Sequence, residues 1–308
     1  MSLTAFFQQL VNGLTLGGMY ALVALGYTMV YGIIELINFA HGEIFMLGAF
    51  FGLSALALVS RLGITNAGVS LGLAFLAAMP LTALLGAAVE RVAYKPLRHS
   101  PRITVLLSAI GMSIFLQNLA MLTYSRDLQP FPRSISGGIT LHGVVLENIQ
   151  ALVVISSLLL MLALDLLVHK TRIGQAMRAI AQDMEGAQMM GIDINQVIRI
   201  TFMVGSALAA AGGIMNGLYY GAIKFDMGFI VGIKAFTAAV LGGIGSLRGA
   251  MLGGFILGLS ETLVVALLSA AGMTEAFDYK DVIAFAILII VLIFMPSGLL
   301  GEQFQEKV

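Results

Sequence analysis

The sequence predicts an all-α, polytopic integral membrane protein, a bundle of eight or nine transmembrane helices forming one domain over residues 1–308. Three observations predict it. First, 59% of the 308 residues are hydrophobic and only 10% are charged, against about 25% charged in an ordinary soluble domain. So few charges cannot clothe a core of this size in water, so the solvent around it is lipid. Second, apolar runs of about 20 residues recur along the chain, the length a helix needs to cross hydrocarbon. Third, the chain holds 36 glycines, which suit helices that approach closely in a bilayer. The balance of 16 basic and 16 acidic residues supports no nucleic-acid partner. With no cysteine, disulfides, thiolate metal sites and cysteine nucleophiles drop out.

Taken in order, the first span is Phe6–Val30. No charge precedes Glu35, and the run exceeds the roughly 7–15 residues of a signal-peptide core, so it is expected to be retained. Glu35, Asn38, His41 and Glu43 then form a polar interval, on the cytoplasmic side by parity, although Gly42 also permits a re-entrant turn at depth. Ile44–Val59, Val69–Val92 and Ile103–Thr123 are the next spans. Tyr124–Asn148 is polar and mixed. Ile149–Val168 and Val197–Tyr220 follow, separated by a loop over about 170–199. Ala235–Ser246 is a weaker ninth candidate, short and interrupted by Gly242, Gly243 and Gly245. Gly249–Gly272 and Val282–Leu300 complete the set.

Basic residues orient the bundle, because they concentrate in cytoplasmic loops. Half of them lie in two connections: Arg91, Lys95, Arg98 and Arg102 in one, Lys170, Arg172, Arg178 and Arg199 in the other. Tyr124–Asn148 is therefore outside, and so is the acidic Thr274–Asp281 if Ala235–Ser246 spans. The tail from Gly301 is then cytoplasmic, and parity puts the N-terminus outside. Glycines four apart (Gly13 and Gly17, Gly48 and Gly52, Gly217 and Gly221, Gly228 and Gly232, Gly249 and Gly253) read as close helix packing.

Catalytic sets are missing from the sequence. No Lys follows a Gly, so the phosphate-binding loop of an ATPase cannot form. His41-Gly42-Glu43 lacks the second His of a zinc-binding His-Glu-x-x-His helix, and no Gly-x-Ser-x-Gly elbow is present. No cofactor or metal is expected. Among the predicted spans Glu261 is the one ionisable residue near a midpoint. A carboxylate there must meet a partner or a cavity, and either a structural tether or a place on a translocation path accounts for it, the latter together with the break at Gly242, Gly243, Gly245 and Ser246.

Within the loop, Ile173, Met177, Ile180 and Met184 repeat on one helix face while Gln175, Arg178, Gln182 and Glu185 lie on the other. Such a helix docks into a partner's groove or lies on the lipid surface. Glu185-Gly186-Ala187 followed by Gly191 is similar to the Glu-Ala-Ala…Gly loop of ABC importer permeases, with Gly186 departing from the pattern. The wider chain carries the likeness further. Gly26–Ala49 (GYTMVYGIIELINFAHGEIFMLGA), Glu90–Arg98 (ERVAYKPLR), Ala109–Asn118 (AIGMSIFLQN) and Lys234–Gly254 (KAFTAAVLGGIGSLRGAMLGG) closely resemble the branched-chain amino acid ABC transporter permeases of the LivH type.

That resemblance implies a subunit, not an enzyme, of an ATP-driven importer in the bacterial cytoplasmic membrane. It implies a second related permease, two cytoplasmic ATP-binding subunits, and a periplasmic or surface-tethered binding protein delivering leucine, isoleucine or valine. On this reading Arg178, Asp183, Glu185, Ala187 and Gly191 sit at the ATPase contact. Permeases for urea, short amides or other neutral amino acids are the nearest alternatives. An ion-coupled secondary transporter is a different class, and it would usually bury several ionisable groups.

Overall fold

The computed structural model describes residues 2–98, 100–133, 135–295 and 297–301. Its first helix, α1 (Leu3–Ile34), starts where the Ser2 side chain accepts the Ala5 N–H at 3.2 Å, satisfying one of the free N–H groups of the first turn. It ends at Glu35, whose φ of 53° is left-handed. Then come α2 (His41–Arg61), α3 (Ala67–Val89), α4 (Arg102–Thr123) and α5 (Asn148–Lys170). Two short helices, α6 (Arg172–Gln182) and α7 (Met184–Met189), lead to α8 (Ile194–Tyr220), α9 (Met227–Gly242), α10 (Leu247–Ala270) and α11 (Lys280–Phe294). α3 continues through a π-helical turn, Glu90–Tyr94, and a 3₁₀ turn, Lys95–Leu97.

Seven of these helices are long and apolar enough to cross a membrane. The eighth and ninth passes are shorter than expected. α9 spans 16 residues and α11 spans 15, about 24 and 22 Å at ~1.5 Å per residue, below the ~30 Å of hydrocarbon. The weaker candidate drawn as Ala235–Ser246 begins eight residues earlier, at Met227, and stops at Gly242. The last span, drawn to Leu300, stops at Phe294. The residues beyond it fold back on α9: the Leu299 and Leu300 N–H groups donate to the Leu241 and Gly242 carbonyls, each at 2.9 Å. Helix-terminal carbonyls have no partner within their own helix, and apolar surroundings offer none, so the returning chain satisfies them.

Glycine pairs set the packing. A methyl on Gly13 would meet Thr262 at 2.6 Å, and one on Gly17 would meet the Phe255 backbone at 2.7 Å. Gly254 faces Ala21 and Gly258 faces Gly17, so α1 and α10 share a seam of small residues. Gly48 and Gly52 pack on Ala210 and Ile214 of α8, Gly228 and Gly232 on the start of α2, and Gly249 and Gly253 on α9. Gly217 packs on Phe131, and Gly221 closes α8 at φ 73°. Backbones meet at these points because only hydrogen lies between them.

The bundle has a basic end and a hairpin end. At the basic end, Arg98 pairs with Glu90 and hydrogen-bonds Asn195 at 2.9 Å, while Arg199 lies 3.9 Å from the same Glu90. The two basic connections are thus neighbours. Arg102 pairs with Glu35 at 3.0 Å, and Arg248 approaches Asp165 at 3.7 Å. At the opposite end the segment Tyr124–Asn148 folds into strands. β1 (Gln129–Pro130) pairs with β4 (Ala222–Ile223), and β2 (Gly138–Leu141) with β3 (Val144–Glu147). The β2–β3 turn is His142-Gly143, both at positive φ, as a two-residue hairpin loop of this hand requires. Gln8 exchanges two hydrogen bonds with the Val145 backbone, at 2.8 and 3.0 Å. The start of α1 therefore lies at the hairpin end, as parity predicts.

Candidate functional site

Glu261 is fully buried on α10. Its carboxylate accepts the Tyr20 hydroxyl at 3.0 Å and lies 3.1 Å from Lys234 of α9 and 3.7 Å from Lys280 of α11. Lys234 is itself buried and reaches Asp281 at 2.6 Å. Two cations and two anions thus meet where four helices converge, and their charges cancel. In low dielectric such neutrality is required, since one unpaired ion there costs several kcal/mol. Glu261 is therefore not the lone intramembrane charge. Lys234 escaped detection because the ninth segment was drawn from Ala235, one residue too late. Glu90 is buried as well, in the π-helical turn that follows α3.

The polar interval after α1 divides in two. Glu35 is at the basic surface with Arg102. His41 and Glu43 turn inward in the first turn of α2, with His41 against Gly26 and edge-on to Tyr27 at 4.9 Å, and Glu43 3.4 Å from Ser113. Asn38 accepts the Tyr94 hydroxyl at 2.9 Å, so Tyr94 is a buried donor. Gly42 lies within the first turn of α2, packed on Gly228 and Gly232, so the chain does not turn back there.

Gly242, Gly243, Gly245 and Ser246 form the turn between α9 and α10. Gly242 packs on Gly249, Gly243 has φ 105° and Gly245 φ 96°, and the Ser246 hydroxyl accepts the Gly249 N–H at 3.1 Å. This turn is at the basic end. Glu261 lies 15 residues further along α10, about 22 Å at ~1.5 Å per residue. The structure does not bring the two together.

The loop at the basic end is two helices, not one. Asp183 ends α6 and opens α7, its carboxylate accepting the Glu185 and Gly186 N–H groups at 3.1 and 3.0 Å. The apolar face consists of Gly174, Met177 and Ile180, packed on the chain's own bundle, whereas Ile173 and Met184 are exposed. Asp183 interrupts the helical phase, which is why Met184 leaves the face that spacing assigned to it. Ala187 is buried. Arg178 and Glu185 face solvent, as do Met189 and Met190, each 84% exposed. Gly191 turns the chain at φ 83° with nothing near its α-carbon.

A family model described as "Branched-chain amino acid transport system / permease component" matches residues 9–292. The chain belongs to this family. The permease is 46% identical to the high-affinity branched-chain amino acid transport permease BraD of Pseudomonas aeruginosa, over 98% of both chains. Its identity to LivH of Escherichia coli K12 is also 46%, again over 98% of each. A probable LivH of Methanocaldococcus jannaschii is 28% identical over 92% of this chain and 89% of that one. Fold class and family were thus legible in the sequence of this permease, while most of its buried charges were not. Lys234 has one available signal, standing alone in an otherwise apolar run, whereas Glu90 is followed directly by Arg91.

Proposed function

We propose that the chain is a permease subunit of an ATP-driven importer that carries leucine, isoleucine or valine across the bacterial cytoplasmic membrane by alternating access. The observation that carries this reading is the family match over 9–292, joined to 46% identity over almost the whole of BraD and LivH. ATP hydrolysis is assigned to two separate ATP-binding subunits. A second related permease and a periplasmic or surface-tethered binding protein complete the assembly. A nucleotide shifts such a transporter only by binding its two conformations with different affinity, so the cycle needs a firm mechanical grip between ATPase and permease.

We place that grip on α6 and α7. Arg178 and Glu185 offer charge, Met184, Met189 and Met190 offer an adaptable apolar surface of the kind methionine suits, and Ala187 and Gly191 shape the turn. Asp183 holds α7 in place through its two N–H bonds and acts on the contact indirectly. The basic end is then cytoplasmic, and so is the chain beyond Gly301, which lies outside the described residues. Glu261 is assigned to the neighbourhood of the translocation path. The Gly242–Ser246 turn is assigned to a joint at the cytoplasmic end, separate from Glu261.

The deciding experiment is uptake of labelled leucine into vesicles holding the reconstituted complex. Uptake that requires ATP and the binding protein is the expected result. Uptake driven by an ion gradient with the ATPases removed would overturn the reading in favour of a secondary transporter. Met189→Asp with Met190→Asp should separately lower ATPase co-purification, and unchanged co-purification would remove α7 from the contact.

A further inference from the structure

Two cavities adjoin at the hairpin end. The larger, about 550 Å³, lies between α1, α8, α10 and the turn before α11, within the roughly 300–1,000 Å³ range of small-ligand sites. Its lining combines polar groups, Glu261, Lys280 and Tyr220, with apolar ones, Leu16, Val265 and Phe277. The smaller, about 330 Å³, shares Asn12, Tyr219 and Tyr220 with it and is lined by Gln8, Arg133 and Glu147 beside the hairpin, giving a polar approach to the larger one.

We propose that the larger cavity binds the zwitterion of an apolar α-amino acid, with its carboxylate on Lys280, its ammonium on Glu261 and its side chain against the apolar lining residues. This site rests on the import reading above and locates the cargo within it. The Lys280–Glu261 pair is the one to open. At 3.7 Å it is a loose ion pair, whereas Lys234 is held by Asp281 at 2.6 Å and Tyr20 holds the other side of Glu261 at 3.0 Å. The buried Glu261 Oε1 atom faces Lys234 at 3.1 Å without an aligned hydrogen bond, so a ligand ammonium can share it. A zwitterion placed between Lys280 and Glu261 replaces one ion pair with two and leaves the cluster neutral. A ligand bearing a carboxylate alone, or an ammonium alone, would leave the four-ion cluster with a net charge, which is costly in low dielectric. The one cavity thus offers partners for the backbone charges and for an apolar side chain.

The test is ATP-driven leucine uptake by reconstituted complexes carrying Lys280→Gln, Lys280→Arg or Ala266→Phe, each compared at equal amounts of assembled complex. Ala266 is on the cavity wall, and Phe there takes up cavity space without removing either charged residue. Losing one charge-assisted contact should slow Lys280→Gln about tenfold or more, Lys280→Arg should recover most of the rate, and Ala266→Phe should slow uptake at least as much as Lys280→Gln. An assembled Ala266→Phe complex that transports at the wild-type rate overturns the site, and it does so even if the Lys280 variants fail to assemble. Equal rates for Lys280→Gln and Lys280→Arg overturn it too. In either case ATP-dependent uptake by the wild type leaves the importer reading standing. A wild type that takes up no leucine ends both.

Discussion

Two positions carry structural demands that single substitutions can isolate. Gly191 sits at φ 83° in open space, so a substitution there meets no neighbour and its cost is purely that of the backbone. A left-handed L-residue costs roughly 1–2 kcal/mol, with Asn the mildest after Gly. Gly191→Ala is therefore expected to loosen α7, raising hydrogen exchange at its amides several-fold, and Gly191→Asn should do so less. Equal exchange in all three proteins would contradict a strained turn. Glu90 makes the opposite demand. Fully buried, it faces Arg98 and Arg199 from two different connections, and Arg98 is itself mostly covered, at 14% exposed. Glu90→Ala strands that guanidinium, and breaking a buried pair typically costs about 3–5 kcal/mol. Glu90→Gln keeps an acceptor in place and should cost less. Thermal unfolding in detergent should rank the three as wild type, Gln, Ala.

At the scale of elements, the seam between α1 and α10 tests what the glycines are for. Gly17→Leu would drive a side chain into the Phe255 backbone, which a methyl alone would reach at 2.7 Å. Helix backbones cannot yield as flexible side-chain ends can, so the helices must part. Gly111 on α4 has nothing within 4 Å, and Gly111→Ala should be tolerated. Monodisperse elution in detergent is the readout: lost for Gly17→Leu, kept for Gly111→Ala. A monodisperse Gly17→Leu protein would contradict the seam. Elements also mark how far the sequence could be read. Seven long helices announce themselves because lipid demands about 20 apolar residues. α9 and α11 fall short of that length, and their ends are completed by extended or returning chain that leaves no periodic trace. The sequence marks the hairpin only as a polar, mixed outer segment, although His142-Gly143 is a recognisable turn signal. In α6, periodicity correctly chose Met177 and Ile180. It failed at Met184 because Asp183, a strong N-cap residue, restarts the helix.

For the molecule as a whole, the separation of charge between the two ends sets its orientation, and the lack of cysteine makes that orientation measurable. The basic residues of two connections converge at one end through Glu90, while the opposite end holds the hairpin, the start of α1 and the Lys280–Tyr220 contact at 3.2 Å. With the basic loops retained on the cytoplasmic side, the hairpin is expected outside. The position of the buried cluster was illegible for a related reason: Tyr20, Lys234, Glu261 and Lys280 come from four helices, and only the glycine-set packing angles bring them together. A single cysteine replacing His142, in the hairpin turn, should react with a membrane-impermeant thiol reagent in intact cells. One replacing the exposed Gln188 of α7 should react only after the membrane is permeabilised. Labelling of Gln188→Cys in intact cells would invert the molecule and detach α6 and α7 from any ATP-hydrolysing partner. It would also put the approach to the Glu261–Lys280 cavity on the side from which an importer releases its cargo.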